Sequence, residues 1–264
     1  MRSLVPEVNR RHVSAMAALA MLFVVVAACG GQSGSDSPAP TVTRMPVNNQ
    51  ASEPTVSTTL DPNEVTAGQV ADLISAAWGG VRSYVSVTQI LPLPGASPVA
   101  SPQVEASGMA VREVIMPDTK RIAITDQGAT TEIVLVDGVL SKRVIAVDGT
   151  VGAWSTIDPA AIPANDPFAQ TYQTMLSPEQ PPYAGLSSRQ RERIGTQIGE
   201  IEIGRRTCQT YRFLQVTDTG EQYQVDISLD SANLPCRIQT TTSANISQTD
   251  FTFNKPVLIG TPIA

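Results

Sequence analysis

The first thiol in this 264-residue chain, that of Cys29, could be modified covalently by alkylation at its sulfur. An apolar run, 13–28, ends directly before it in two small residues. The run is 16 residues long, shorter than the roughly 20 residues that a helix needs to span a bilayer, and a basic stretch with three arginines precedes it. This layout is typical of a secretory signal peptide, which we predict for residues 1–28.

The residues Val26-Ala27-Ala28-Cys29 resemble the bacterial lipobox, in which the cysteine thiol receives a diacylglyceryl group and the chain is cleaved just before it. We expect the mature chain to begin at lipidated Cys29 and to be held by two or three acyl chains, since one chain alone binds a bilayer only marginally. Such a protein would be exported and anchored to the outer face of the cytoplasmic membrane, at the cell surface or in the periplasm. An ordinary signal peptide followed by an incidental cysteine is the alternative.

The only histidine, His12, would leave with the signal peptide. A mature chain without histidine lacks the usual general base and the commonest metal ligand. Two cysteines without histidine would make an incomplete zinc site, and the acidic residues form no cation-binding loop motif. The serines include no G-x-S-x-G elbow. We therefore expect a protein that is not an enzyme and that has no metal and no cofactor.

The charge of the chain bears on its partners. Loss of the signal peptide removes three arginines and one glutamate, so the net charge of −6 becomes −8. An acidic protein of this kind is not expected to bind nucleic acid. Basic pairs such as Lys120-Arg121 and Lys142-Arg143 are interpreted as solvated residues at strand edges, where they discourage edge pairing. Contact with anionic lipid head groups is the alternative for these pairs.

Cys208 and Cys236 are the remaining thiols, and export favours a disulfide between them. Their predicted positions conflict with that bond. If 208–216 and 222–230 form a hairpin, Cys208 lies opposite Asp230 and two strands from Cys236, at about 9–10 Å. A disulfide needs Cα atoms within about 7 Å. The bond therefore requires a bulge or a strong curl at the strand ends, or a different register.

The sequence divides into a linker and a folded part. Residues 29–60 are rich in Gly, Ser, Thr and Pro and contain no aromatic residue, so we expect a lipidated, disordered tether with a root-mean-square reach on the order of 30 Å. Residues 61–264 are predicted to form a single domain. An aspartate followed by proline begins each of two predicted helices, 62–78 and 167–176, and 187–194 is consistent with a polar helical turn.

Short segments of alternating apolar and polar residues predict antiparallel strands. The dipeptides Asp137-Gly138 and Asp148-Gly149 are hairpin signals, and prolines exclude the loop 91–102 from a sheet interior. The predicted strands are 83–91, 104–113, 120–125, 131–136, 140–147, 151–157, 200–216, 222–230, 234–244 and 246–257. The pattern predicts one continuous antiparallel sheet in an α+β domain.

Four features of the sequence resemble the LolA-like lipoprotein carriers and, more narrowly, the LppX/LprG group of lipid-binding lipoproteins. They are the lipobox, the strand pair TYRFLQV and QYQVDISLD, the turn 231–235 that ends in Leu-Pro, and the C-terminal segment FTFNKPVLIGTP. The resemblance covers about 61–262 in its organisation. It implies a strongly curved antiparallel sheet, a half-barrel, with helices covering the concave face and an apolar cavity between them.

Such a cavity would be lined by apolar residues of the two helices and of the sheet. The predicted lining residues are Leu73, Ile74, Trp78, Phe168, Tyr172, Met175, Leu176, Val225, Ile227, Leu229, Phe251 and Phe253. A fully packed core made of the same residues is the alternative, since apolar helical stripes usually belong to a core.

These observations predict a membrane-anchored monomer that binds or carries a hydrophobic ligand, a lipid or an acyl chain. The alternative is an envelope interaction or sensory module that uses the same fold to bind a protein partner without transporting lipid. A hydrolase is the least supported interpretation, because the sequence lacks the residues that would activate a nucleophile.

Overall fold

The computed structural model describes residues 63–93, 108–163, 165–217 and 220–262. The predicted signal peptide (1–28), Cys29 and the tether (29–60) lie outside the described residues, as does most of the proline-rich loop. Among the described residues, no helix is long and apolar enough to cross a membrane.

Twelve strands form one continuous sheet in which every neighbouring pair is antiparallel. The strands are β1 (Glu64–Thr66), β2 (Ser83–Pro92), β3 (Met109–Ile115), β4 (Thr119–Asp126), β5 (Ala129–Val136), β6 (Val139–Ile145), β7 (Ser155–Thr156), β8 (Ile194–Ile203), β9 (Arg206–Val216), β10 (Gln222–Leu229), β11 (Pro235–Thr241) and β12 (Asn245–Phe253). Their order is β1-β8-β9-β10-β11-β12-β2-β3-β4-β5-β6-β7, so two meanders join where β12 pairs with β2. The antiparallel sheet and the few helices predicted from the sequence are confirmed.

Turn chemistry explains one hairpin directly. Asp137 and Gly138 have φ values of 51° and 77° and join β5 to β6, as predicted, in the backbone conformation of a type I′ turn. The single strand predicted over 200–216 is wrong. The structure divides this stretch into β8 and β9, and Gly204, with φ of 64°, supplies the reversal between them.

The predicted helix over 62–78 begins five residues too early. The first α-helix, α1, spans Ala67–Trp78, because Thr66 accepts a hydrogen bond from the Gln69 amide while the Gln69 side chain accepts one from the Thr66 amide. The preceding residues pair with β8 as strand β1 instead. The helix α2 spans Ala169–Leu176, two residues later than predicted, and a single helical turn, α3, spans Ser188–Arg191.

Two buried apolar clusters hold the helices on the sheet. In cluster 1, α1 packs against strands β2, β3 and β9–β12; its buried members are Val70, Ile74, Val81, Tyr84, Val114, Phe213, Val225, Ile227, Leu229, Ile238 and Phe251. In cluster 2, α2 packs against β3–β6; its members are Ala110, Ile122, Ile124, Ile133, Leu135, Leu140, Tyr172 and Met175. Each buried aliphatic or methionine side chain stabilises the fold by about 1.5–3 kcal/mol.

Both helices cover the same face of the sheet. Ala110 of cluster 2 and Val114 of cluster 1 lie four residues apart on β3, and residues separated by an even number along a strand share a face. We call this the covered face. It carries the apolar residues of both clusters.

The basic pair Lys120-Arg121 is not a solvated strand edge, as the sequence suggested. Strand β4 is internal, between β3 and β5, so Lys120 is buried on the covered face and Arg121 lies on the opposite face. There Arg121 contacts Glu113 at 2.5 Å and also pairs with Glu132. Glu132, only 2% exposed, pairs with Arg143 as well. The alternation of side chains along an internal strand therefore gives the two basic residues different environments.

The disulfide between Cys208 and Cys236 is confirmed, with its Cα atoms 6.5 Å apart. The structure also resolves the geometric conflict. The pairing of β10 with β11 shifts between Ser228 and Leu229, so that Cys236 is the extra residue of a β-bulge. Strand β10 ends at Leu229, which leaves the ends of β9 and β11 free to approach. A bulge was one of the three possibilities that the sequence left open for this bond.

Candidate functional site

An open groove lies between α1 and the edge of the sheet formed by β1, β8 and β9. Its volume is about 590 Å³. The lining residues are Asn63, Glu64, Val65, Gln69, Asp72, Leu73, Ala76, Gln197 and Tyr211. The groove thus combines apolar side chains with carboxylate and amide groups, which is the composition of a site for an amphiphilic molecule.

The helical repeat explains which side of α1 lines the groove. Gln69, Asp72, Leu73 and Ala76 follow the spacing i, i+3, i+4 and i+7, so they form one stripe along the helix. Val70 and Ile74 lie on the neighbouring stripe and are buried in cluster 1. Because the buried stripe fixes the rotation of the helix, Leu73 is left 37% exposed beside the groove.

The turn α3 holds the beginning of α1 in place. The Arg191 guanidinium donates to both carboxylate oxygens of Asp72 at 2.7 Å, and the Ala67 amide donates to the Arg193 carbonyl at 2.9 Å. A Cβ atom at Gly68 would lie 3.1 Å from the Arg191 carbonyl, so glycine permits this close approach. The groove therefore has one wall that is fixed by both hydrogen bonds and apolar packing.

The floor of the groove is continuous with cluster 1. Val65 and Tyr211 line the groove and also pack against that cluster. The neighbouring Gly195 on β8 leaves room for the Phe213 ring, since a Cβ at Gly195 would lie 2.4 Å from two ring carbons. An apolar chain in the groove would therefore contact the edge of the core.

A second feature, a buried charged cluster, lies on the covered face near the end of α2. Glu179 accepts hydrogen bonds from Arg112 at 2.5 Å and from the Tyr84 hydroxyl at 2.6 Å, and Lys120 lies 2.9 Å from the same carboxylate. The Lys120 ammonium also donates to the Ser177 carbonyl. The side chains of Glu179 and Lys120 are 5% and 2% exposed. We call Tyr84, Arg112, Lys120 and Glu179 the Glu179 cluster.

The Glu179 cluster contains a neutral hydroxyl group and borders a small cavity that has both polar and apolar lining residues. Burial raises the pKa of the Tyr84 hydroxyl, against the opposing effect of Arg112 and with the support of Glu179, so Tyr84 is a neutral hydrogen-bond donor. A small cavity of about 10 Å³ beneath α2 is lined by Arg112, Ile122, Thr171, Thr174 and Met175. The Arg112 Nε atom is buried and has no hydrogen-bond partner.

The residues predicted to line a cavity lie at four places. Leu73 lines the groove, and Leu176 is 39% exposed at the end of α2. The residues that are buried in cluster 1 or pack against it are Ile74, Trp78, Val225, Ile227, Leu229, Phe251 and Phe253. Those of cluster 2 and its border are Phe168, Tyr172 and Met175. The structure therefore brings most of the predicted residues together as the packing between the helices and the sheet.

Sequence reasoning did not find Glu179 or the polar half of the groove. Glu179 follows α2 in a proline-rich segment, where no periodic pattern indicates the direction of a side chain. A signal for its partner was available, because Lys120 alternates with Ile122 and Ile124 along β4 and so shares their face. Among the described residues, no group of three or more histidine, cysteine or acidic side chains is arranged to hold a metal ion.

No family model and no curated protein matches this chain. Solved structures do match it. LprF from Mycobacterium bovis aligns with 75% of this chain and 97% of its own at 12% identity and a TM-score of 0.42. The Mycobacterium tuberculosis lipoprotein LppX aligns with 73% and 97% at 12% identity and a TM-score of 0.44. A LolA superfamily protein from Nitrosomonas europaea aligns with 74% and 96% at 10% identity and a TM-score of 0.29.

The proteins with matching structures belong to the group that the lipobox and the strand motifs resemble.

Proposed function

We propose that this protein is an extracytoplasmic lipoprotein that binds an acyl chain of a lipid in the groove beside α1, without catalysing a reaction. One observation carries the proposal: the groove of about 590 Å³ has an apolar floor continuous with the core and a polar rim. Pockets for small ligands have volumes of about 300–1,000 Å³. The acyl chain would contact Val65, Leu73 and Tyr211, and the polar end of the ligand would face the amide and carboxylate groups.

The position of the groove supports a role at a membrane. Asn63 and Glu64 line it, and they lie within four residues of the end of the predicted tether, 29–60. A lipidated Cys29 would hold the domain by a linker with a root-mean-square reach on the order of 30 Å, so the groove would stay within about one tether length of the bilayer. A ligand could then pass between the membrane and the groove over a short distance.

The shape of the sheet belongs to the same proposal. We infer that the sheet curves into the predicted half-barrel with α1 and α2 on its concave face. The support is that both helices pack on one face, and that this face carries the apolar residues of both clusters. Curvature toward the helices would extend the covered face around them and protect an acyl chain from water.

The proposal is tested with the chain from Gly30 to Ala264, which keeps every described residue and lacks the lipidated cysteine. This chain is exported behind a cleavable signal peptide, so that the disulfide forms, and the mass of the purified protein is measured under native conditions. Wild-type protein is expected to retain a lipid adduct that organic extraction identifies. The variant Leu73→Arg places a charge in the apolar part of the groove and is expected to reduce the adduct about tenfold or more.

The matched control is Leu214→Arg, because Leu214 is 70% exposed on the opposite face of the sheet and does not line the groove. It is expected to keep the adduct. Wild-type protein without any lipid, or an equal loss in both variants, contradicts the proposal. A stoichiometric protein partner that co-purifies with lipid-free protein would instead support the interaction module.

A further inference from the structure

The Glu179 cluster buries more positive than negative charge. Two cations, Arg112 and Lys120, face one carboxylate, and all three side chains lie between the two apolar clusters. Lys142, the next cation on the covered face, lies 5.5 Å from the Phe168 ring centroid and 5.7 Å from that of Tyr172. Buried cations in excess of their anions are costly, because each one loses its hydration without a full counter-charge.

Arg112 carries the hydrogen-bond donor of the cluster that has no acceptor. Its guanidinium donates through Nη2 to Glu179, while its buried Nε has no partner. The same side chain lines the small cavity beneath α2, together with the apolar Ile122 and Met175. A guanidinium binds a carboxylate best through two parallel hydrogen bonds, and Glu179 uses only one of these donors. The cluster therefore offers an unused donor next to apolar side chains.

We propose that Arg112 and Lys120 form a binding site for the carboxylate of a fatty acid, and that Glu179 is the internal carboxylate that occupies this site when no fatty acid is bound. The cavity of about 10 Å³ is too small for an acyl chain, so the chain would contact the apolar residues of cluster 2 only after the segment that follows α2 has moved. This site goes beyond the proposed function, because it shares no lining residue with the groove beside α1.

Binding at this site is coupled to the position of the segment that follows α2. Lys120 donates to the Ser177 carbonyl, and Ser177 is the C-cap of α2. A fatty acid that displaces Glu179 competes for the same ammonium, so it also weakens the attachment of the helix end to the sheet. The ligand and the closed segment therefore exclude each other.

The test compares hexadecanoic acid with its methyl ester, which has the same chain and no charge. Affinities are measured by titration calorimetry at pH 7.5 with the chain from Gly30 to Ala264. Wild-type protein is expected to bind the acid about tenfold more tightly than the ester. Glu179→Gln removes the competing carboxylate and is expected to raise affinity for the acid, with no change for the ester. Arg112→Gln is expected to abolish the preference.

The matched control is Glu132→Gln, since Glu132 is equally buried and pairs with two arginines on the opposite face. It is expected to leave the preference unchanged. If Glu179→Gln does not fold, Tyr84→Phe is used, because it removes only one hydrogen bond to Glu179 and is expected to tighten binding of the acid on the order of tenfold.

Equal affinities for acid and ester in wild type, or no gain from either substitution, overturns the inference. Leu73→Arg separates it from the proposed function. That variant is expected to lose binding of the ester and to keep the Glu179-dependent binding of the acid. If it loses both, the acid binds in the groove; the inference then fails and the proposed function stands.

Discussion

Removal of the anion from the Glu179 cluster should cost more stability than removal of a cation. Glu179→Gln leaves Arg112 and Lys120 buried without a counter-charge. Breaking a buried ion pair in this way costs about 3–5 kcal/mol of the free energy of unfolding. Lys120→Met leaves Glu179 with Arg112 and Tyr84, and it replaces an ammonium by an apolar group of similar length.

The cost of Lys120→Met is correspondingly smaller. The Ser177 carbonyl loses its donor, which costs about 1–3 kcal/mol, and this is partly offset because an ammonium no longer has to be desolvated. We therefore expect Glu179→Gln to be the more destabilising by about 2 kcal/mol.

Urea denaturation followed by circular dichroism measures both values. With a slope near 2 kcal/mol/M, a difference of about 2 kcal/mol separates the two midpoints by about 1 M. Equal midpoints, or a lower midpoint for Lys120→Met, would refute the reasoning that the cluster holds an excess of positive charge.

Three further predictions concern stability. Burial alone would raise the pKa of Glu132, but hydrogen bonds from Arg121 and Arg143 hold it below its ordinary value of 4.5. The stability that the Glu132 carboxylate contributes is therefore fully present above about pH 4.5 and is lost as the pH falls below that value. In pH-dependent denaturation, the stability gap between wild type and Glu132→Gln should shrink as the pH falls, and a constant gap would contradict this. Replacing Cys208 and Cys236 by alanine opens a loop with a sequence separation of 28 and should cost about 3–4 kcal/mol in urea denaturation, and a loss below 1 kcal/mol would contradict this. Gly195→Ala should cost about 1–3 kcal/mol through its clash with the Phe213 ring, while Gly185→Ala, with no atom within 4 Å, should change the melting temperature little.

Local patterns predicted the strands well where the chemistry of the turn is local. Asp137-Gly138 is sufficient to specify its hairpin, because both residues readily adopt positive φ. Gly204 was harder to interpret, because a lone glycine inside an alternating segment is compatible with a bulge or with a reversal. The capping pattern at Asp61-Pro62 predicted too early a start for α1. Residues 64–66 form β1 instead because they pair with β8, and the paired residues, such as Val65 and Gly195, lie 130 positions apart in the sequence.

The candidate sites were less predictable than the fold. The groove arises where an exposed stripe of α1 meets β8 and β9, and the sequence contains no sign of that distant contact. The Glu179 cluster likewise depends on a carboxylate in an irregular segment that is 59 positions after Lys120. Alternation along β4 could have placed Lys120 inside, but only tertiary structure shows the anion that faces it.

Photo-crosslinking tests the central claim, that the groove beside α1 binds an acyl chain, most directly. A long-chain methyl ester with a diazirine on its chain is added to the chain from Gly30 to Ala264, irradiated, and mapped by peptide mass spectrometry. The account predicts crosslinks in the peptides that contain Leu73 and Tyr211, and their loss in Leu73→Arg but not in Leu214→Arg. Crosslinks confined to other peptides, or none above the level of unfolded protein, would contradict it.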